Sequence, residues 1–297
     1  MKKHISTIFL VLVFIAGLSV FLYPTVSDFI NRHQQKQVVN EYQKAVEQLD
    51  EVDKEAMIEQ AVEYNKQLAG YGQPNFKKPY NHENYDRLLS INGGEVMGVI
   101  TIPKIDVELP IYHGTRESVL QIAVGHLEGS SLPVGGESTH AILSGHRGLP
   151  SANLFTDLDR MEIHDVFTIT VLGQELIYEV DQIKIVEPGN TDYLQIEEGQ
   201  DYVTLLTCTP YGINTHRLLV RGKRVQKTET ERTVYIYADA YEMDKKTVAV
   251  VMAVPLTIVI LIGIFVHTGR KKRKMSDIKQ ILTKYDIDIQ NEEETNN

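Results

Sequence analysis

Two apolar runs, one near each end of the 297-residue chain, dictate how everything between them is organised. The first extends from Ile5 to Tyr23, follows Lys2 and Lys3, and stops at Pro24. The second extends from Val248 to Val266 and is followed at once by Arg270, Lys271, Lys272, Arg273 and Lys274. Each is about nineteen residues, enough for a helix to cross a bilayer core. Pro255 inside the second run is tolerable in a membrane helix, where neighbouring groups re-satisfy the freed carbonyl. Lys and Arg flanks are retained on the cytoplasmic side. Both termini are therefore expected in the cytoplasm, with a two-span membrane topology and the body from about Thr25 to Thr247 outside.

Ala16, Gly17 and Ser19 also offer small residues for a cleaved signal peptide, but no clear Ala-x-Ala site follows, so a retained anchor is the reading. A soluble protein explains one apolar run as a core helix, but not two terminal runs with cations on the same side. Ile278, Ile281 and Leu282 in the tail are spaced for one helical face, which fits an interfacial helix or a solvated tail.

The net charge of -10, with no basic stripe in the body, argues against nucleic acid as a partner. Cys208 is the sole cysteine, which rules out an intrachain disulfide and any multi-cysteine metal cluster.

The pattern divides the chain as follows: an anchor over 1–24, a helical segment over 25–70, a lid-like loop over 71–95, a β-rich domain over 96–225, a juxtamembrane connector over 226–247, a second span over 248–268, and a basic cytoplasmic tail over 269–297. Val38, Tyr42, Val46 and Leu49, then Met57, Ile58, Ala61, Val62 and Leu68, keep helical spacing. They predict two scaffold helices that break near Asp50 to Asp53 and end at Gly70 as a cap. Residues 71–94 are rich in Asn, Tyr, Gly and Pro and read as a long surface loop, either a lid or a linker.

From Val96 the pattern becomes short strands: Val99 to Ile102, Val107 to Tyr112, His140 to Leu143, Val166 to Leu172, Glu175 to Val186, Tyr202 to Leu206 and Arg217 to Val220. Gly173-Gln174 reads as a hairpin turn, and brief helices fit Ser118 to Val124 and Asn153 to Met161. Such a run, mainly β and without regular intervening helices, predicts an antiparallel sandwich or a closed barrel.

Thr204 to Gly212 places Cys208 where an apolar strand meets a Pro/Gly turn, so the sulfur is fixed yet reachable. A thiol that attacks must become a thiolate, which needs a nearby base or cation. Arg217 opens the next strand nine residues later, so an antiparallel hairpin would bring a permanent cation beside the sulfur or a developing oxyanion. His146, in Leu143 to Leu149, lies at another strand end entering a glycine-rich loop and is suited to shuttle a proton. Spacing alone does not bring it to Cys208.

The string Thr204-Leu205-Leu206-Thr207-Cys208, with a downstream Arg and a strand-end His, resembles the active site of sortases. The stretches Leu143 to Leu158 and Thr204 to Gly222 resemble class C, pilin-polymerising sortases, with similarity from about Tyr23 to Val225. The resemblance implies a closed eight-stranded β-barrel with short helices, preceded by a helical segment and flanked by two transmembrane helices. It implies that Cys208 attacks the Thr carbonyl of a Leu-Pro-x-Thr-Gly-like signal, with His146 as acid and base and Arg217 holding substrate or oxyanion. A thioacyl enzyme would then pass its acyl group to a lysine amine of a pilin subunit. The expected substrate-contacting residues are Leu206, Thr207, Thr209 and His216. The expected partners are pilin subunits and the membrane, on the outer face of a Gram-positive-type cell. One departure stands out: class C sortases often carry an Asp-Pro-aromatic lid triplet, whereas Asn75 to Gly94 offers only Lys78-Pro79-Tyr80. A lid of different chemistry and an open groove both remain open.

Other chemistries are weaker. No Gly-x-Ser-x-Gly elbow is present, His140 and His146 match no zinc spacing, and no His-Glu-x-x-His occurs. His113, His126, His164 and His216 read as surface or satisfied residues, with lining of the groove as the alternative for His216 because it adjoins Arg217. Glu197-Glu198 and Asp157-Leu158-Asp159 read as solvated faces rather than calcium ligands, so no metal or other cofactor is expected. The rival readings are a sortase that uses cell-wall peptide amines and a non-enzymatic membrane-tethered binding module.

Overall fold

The structure, a computed structural model, describes residues 2–71, 74, 76, 84–226 and 257. Most of the lid-like loop, the connector, the expected second span and the basic tail lie outside the described residues.

Eight strands follow the two N-terminal helices: β1 Val96–Ile102, β2 Val107–His113, β3 Val124–His126, β4 Thr139–Ser144, β5 Val166–Val171, β6 Gln174–Val186, β7 Asp201–Thr209 and β8 His216–Val225. They close into a barrel in the order β1-β2-β3-β4-β7-β8-β6-β5, sealed by the β1–β5 pair. The pairs β2–β3 and β4–β7 are parallel and the others antiparallel. A parallel pair needs a crossover. The first is made through the short helix α3, Glu117–Leu120, and the second by the whole β5–β6 hairpin. That hairpin turns through Leu172 and Gly173, both at positive φ, as a two-residue turn matching strand twist demands.

The strands bury one face on a common interior. Ile100, Ile111, Leu143, Phe167, Ile169, Leu205 and Val220 are all buried there. Truncating a ring such as Phe167 to Ala would cost roughly 3–5 kcal/mol, because close-packed surroundings cannot refill the void.

The helices differ from expectation at their ends. α1 runs from Lys2 to Gln48 straight through Pro24, where the anchor was expected to stop. Proline removes one hydrogen bond and crowds the preceding turn. Here that loss is outweighed because the continuation packs on the barrel through Val39, Tyr42 and Val46, and the Tyr42 hydroxyl donates to Met97 O and accepts from Leu172 N. α2, Glu51–Gly70, starts at Asp50, whose carboxylate accepts from Asp53 N at 2.8 Å as an N-cap. The break is therefore confined to Leu49 and Asp50, and Gly70 is the last helical residue, with Tyr71 in the capping position. Asn65 of α2 both donates to and accepts from the Leu132 backbone, fixing the helix on the barrel.

Two expected helices are shorter than the sequence indicated. Ser118 to Val124 reduces to α3 because Val124 joins β3, and Asn153 to Met161 reduces to one 3-10 turn at Leu158–Arg160. β3 itself was not anticipated.

Candidate active site

The site is built from the ends of three adjacent strands. In the β7–β8 pair Cys208 stands directly opposite Arg217, and Thr209 opposite His216. Residues directly opposite in an antiparallel pair share a face with Cβ atoms about 5 Å apart. Along β7 the burial alternates: Thr207 and Thr209 are buried, while Leu206 and Cys208 are partly exposed. Cys208 and Arg217 thus share the outward face at the strand ends.

On the other flank β4 runs parallel to β7, with Ser144 level with Leu206. As the chain leaves β4, Gly145 N donates to Leu206 O at 3.1 Å and the Thr207 hydroxyl donates to Gly145 O at 2.8 Å. These two bonds fix the start of the His146 loop against the residues just before Cys208. Gly145 lies flat on the Phe155 ring, where an added Cβ would sit 2.7 Å from a ring carbon, so only glycine allows that approach. The loop closes on itself through Phe155 N donating to His146 O. His146, Cys208 and Arg217, distant in sequence, are therefore brought to one end of the β4–β7–β8 sheet.

Glu117 at the start of α3 places its carboxylate oxygens 3.3 and 3.4 Å from His146 Nε2. Hydrogen bonds from Gln121, and then from His146, hold the Glu117 carboxyl below the usual carboxylate range. A carboxylate bonded to a ring nitrogen orients the imidazole. Nothing in the spacing of Glu117 signalled this contact.

Arg147 is a second residue missed in the sequence. Its side chain is largely buried: it donates to Thr209 Oγ1 at 3.3 Å, pairs with Asp159, and lies 5.8 Å from the Tyr211 ring centroid. It ties the His146 loop to the strand residue after Cys208. The Arg217 guanidinium bends over the β7–β8 turn, donating to Asn214 O and His216 O, and His216 Nδ1 meets Thr215 Oγ1 at 2.9 Å. Leu206 is half-buried on the Cys208 side, whereas Thr207 and Thr209 turn to the other side of β7 with their hydroxyls engaged by Gly145 and Arg147, and His216, partly exposed opposite Thr209, shares that other side.

Beside the thiol, on the outer face, lies a second apolar cluster separate from the barrel interior. Ile142, Val186, Leu194 and Leu219 are buried in it, with Leu206, Leu127 and Phe76 packed against it. Among the described residues no group of three or more His, Cys, Asp or Glu is assembled that could hold a metal ion.

Three comparisons bear on this geometry. Residues 100–225 match the Sortase domain family. Sortase D of Bacillus subtilis (strain 168) is 33% identical over 135 residues, 44% of this chain and 65% of that relative, so the match spans less than two thirds of its length. Among solved structures, sortase C1 from Streptococcus agalactiae is 51% identical with a TM-score of 0.62, covering 65% of this chain and all of that one. Streptococcus pneumoniae Sortase C is 45% identical with a TM-score of 0.58, covering 65% and 98%.

Proposed function

The chain belongs to the sortase family of cysteine transpeptidases, and from that premise we propose that it polymerises pilins. In this reading Cys208 is the nucleophile, His146 the proton shuttle and Arg217 the holder of substrate or oxyanion. The observation that carries it is the register of Cys208 against Arg217 beside the tethered His146 loop.

The Cys208 sulfur attacks the Thr carbonyl of a Leu-Pro-x-Thr-Gly-like signal, and the Thr–Gly bond breaks. His146 gives its proton to the departing glycine nitrogen, which leaves a thioester. A lysine amine, losing its proton to His146, then attacks the thioester and releases the Cys208 thiolate with an isopeptide bond formed. Covalent catalysis divides a difficult amide exchange into two easier steps. Arg217 stabilises the oxyanion of each tetrahedral intermediate from a preset position. Leu206 and the apolar cluster packed with it suit the signal's apolar residues. Thr207 and Thr209 serve by positioning the strand and the His146 loop rather than by touching substrate.

The pilin assignment is supported by the 45–51% identity to sortase C structures, of which the Streptococcus pneumoniae enzyme's bears on pilin substrate specificity. The chain would be held by α1 and by the second apolar run, with the barrel outside and both termini inside. α1 is long and apolar enough to cross a membrane.

The test is mass spectrometry of the protein incubated with a sorting-signal peptide, followed by a choice of amines. A covalent adduct on Cys208 that is released onto a pilin lysine supports the proposal. Efficient release onto a cell-wall peptide amine alone would replace pilin polymerisation with wall anchoring.

A further inference from the structure

The lower part of α1 fixes which end of the barrel faces the bilayer. α1 leaves its apolar run at Tyr23 and continues as unbroken helix. Contacts with the barrel begin almost at once. Asp28 Oδ1 accepts from Asn153 N at 2.8 Å, Asn31 Nδ2 donates to Ser151 O at 2.6 Å, and Gln35 Nε2 donates to Ile122 O at 2.7 Å. Arg32 pairs with Asp28 on its own helix and with Asp106 of the β1–β2 turn, each at 3.0 Å. At 1.5 Å per residue, Asp28 and Asn31 lie about 8 and about 12 Å beyond Tyr23. Ser151 and Asn153 belong to the loop that begins at His146.

The opposite side of the same helical turns is exposed. Val26, Phe29 and Ile30, at i, i+3 and i+4, are 51%, 72% and 49% exposed. They prolong the exposed apolar surface of Val20, Phe21 and Tyr23 past Pro24. Leaving such a stripe in water forgoes the burial of three large apolar side chains. An amphipathic helix of this kind sinks its apolar side into the boundary between headgroups and acyl chains. Continuity with the membrane-crossing run of the same rigid helix names the cover as lipid. The barrel side of these turns carries the His146 loop, whose Pro150 is exposed next to the Asn31–Ser151 bond.

We infer that the His146 end of the barrel rests on the phospholipid surface, docked through Val26, Phe29 and Ile30 of α1 and the Pro150 tip of the loop. α1 then acts as a spacer of fixed length, and the thiol works at a set, small height above the bilayer. The inference rests on the membrane-spanning reading of α1.

The chain contains no tryptophan, so single substitutions give clean depth reporters. The full chain is placed in two sets of phosphatidylcholine vesicles, one with bromine near the headgroup end of the acyl chains and one with bromine near the methyl end. Four variants are compared: Val13→Trp inside the apolar run, Phe29→Trp, Pro150→Trp, and Val52→Trp, an exposed site at the start of α2. Val13→Trp in the deeply brominated vesicles and Phe29→Trp in the shallow ones should lose emission roughly twofold or more, Pro150→Trp in the shallow ones a smaller but definite fraction, while Val52→Trp is unchanged in both, because an interfacial stripe reaches only the shallow layer and a spanning run the deep one. Quenching at Val13→Trp with Phe29→Trp and Pro150→Trp no different from Val52→Trp would overturn the docking while leaving the anchor intact. An unquenched Val13→Trp would remove the anchor itself, and the inference with it. Turnover of a soluble sorting peptide by each variant separates either failure from a failure of the transpeptidase reading.

Discussion

His140 and His146 stand six residues apart, one inside β4 and one just past its end, and their surroundings are opposite. His140 is buried, with Nδ1 2.8 Å from Gln195 O, Nε2 2.7 Å from Thr204 Oγ1, and the Tyr202 ring packed against it at 5.7 Å between centroids. His146 is partly exposed, and among the described residues its hydrogen-bond partner is the exposed carboxylate of Glu117 at 3.3 Å. The same contrast runs along β7, where Thr204 is buried and bonded while Cys208 is reachable. Saturated polar groups make the lower half of the β4–β7 pair a rigid support. At the upper end Cys208, His146 and Arg217 are partly exposed and within reach of a substrate. Changes below should therefore cost stability and spare chemistry, and changes above should do the reverse.

The largest effect is expected at the upper end. Cys208→Ala should bring acyl transfer to background while shifting unfolding free energy by no more than about 1 kcal/mol, since only one half-exposed sulfur is lost. Steady-state turnover and urea unfolding of the same preparation check both halves. Residual transfer by Cys208→Ala would remove the thiol from the mechanism. Arg217→Ala should lower kcat/KM by about 10²–10³, the usual consequence of losing one oxyanion partner. An unfolding midpoint equal to that of the parent would keep that loss on the chemical side of the comparison.

Acid should act on the saturated end. Burial lowers the pKa of His140 to about 4, and it does the same to His126, whose ring bonds Tyr85, Ser130 and Ser131 in the interior. The unfolded chain takes up these protons nearer the ordinary value of 6.5 and the folded chain only nearer 4. The unfolded state therefore binds more protons between those values, and stability falls as pH falls through the window. Each ring should account for on the order of 3 kcal/mol, fully present above about pH 6.5 and progressively lost toward pH 4. Urea unfolding at several pH values between 4 and 7 reads this directly. A flat profile would mean that the buried histidines are not held neutral by the fold.

Much of this division was legible in the chain, and the exceptions have physical causes. The nine-residue interval from Cys208 to Arg217 is a local hairpin, so turn chemistry and alternation alone predicted their meeting. His146 reaches them only because β4 pairs in parallel with β7 across a long crossover, which no local pattern encodes. Glu117 and Arg147 act through such tertiary contacts and left no trace in spacing. β3 has three residues, one of them Gly125, too few to show a period of two. The expected stop at Pro24 failed because local propensity lost to packing of the following turns on the barrel. Thr207 and Thr209 read as substrate contacts because they flank the nucleophile, yet strand alternation turns both hydroxyls away from it.

Thr207 sits where the two regimes meet, and it offers the smallest and most informative change. Its hydroxyl donates to Gly145 O at the root of the His146 loop, so it belongs to the saturated support while governing where the loop begins. Thr207→Val keeps the shape and leaves that carbonyl unpaired, which should cost about 1–2 kcal/mol of stability. Looser placement of the imidazole should also lower kcat by roughly tenfold or more, since small displacements of a catalytic group are expensive. Thr207→Ser, which keeps the hydroxyl, should recover most of both. Parallel recovery of rate and stability would show that the support and the chemistry are joined at this one bond. A Thr207→Val protein that loses stability with unchanged kcat would mean that the loop is held in place by Arg147 and the Gly145–Leu206 bond alone.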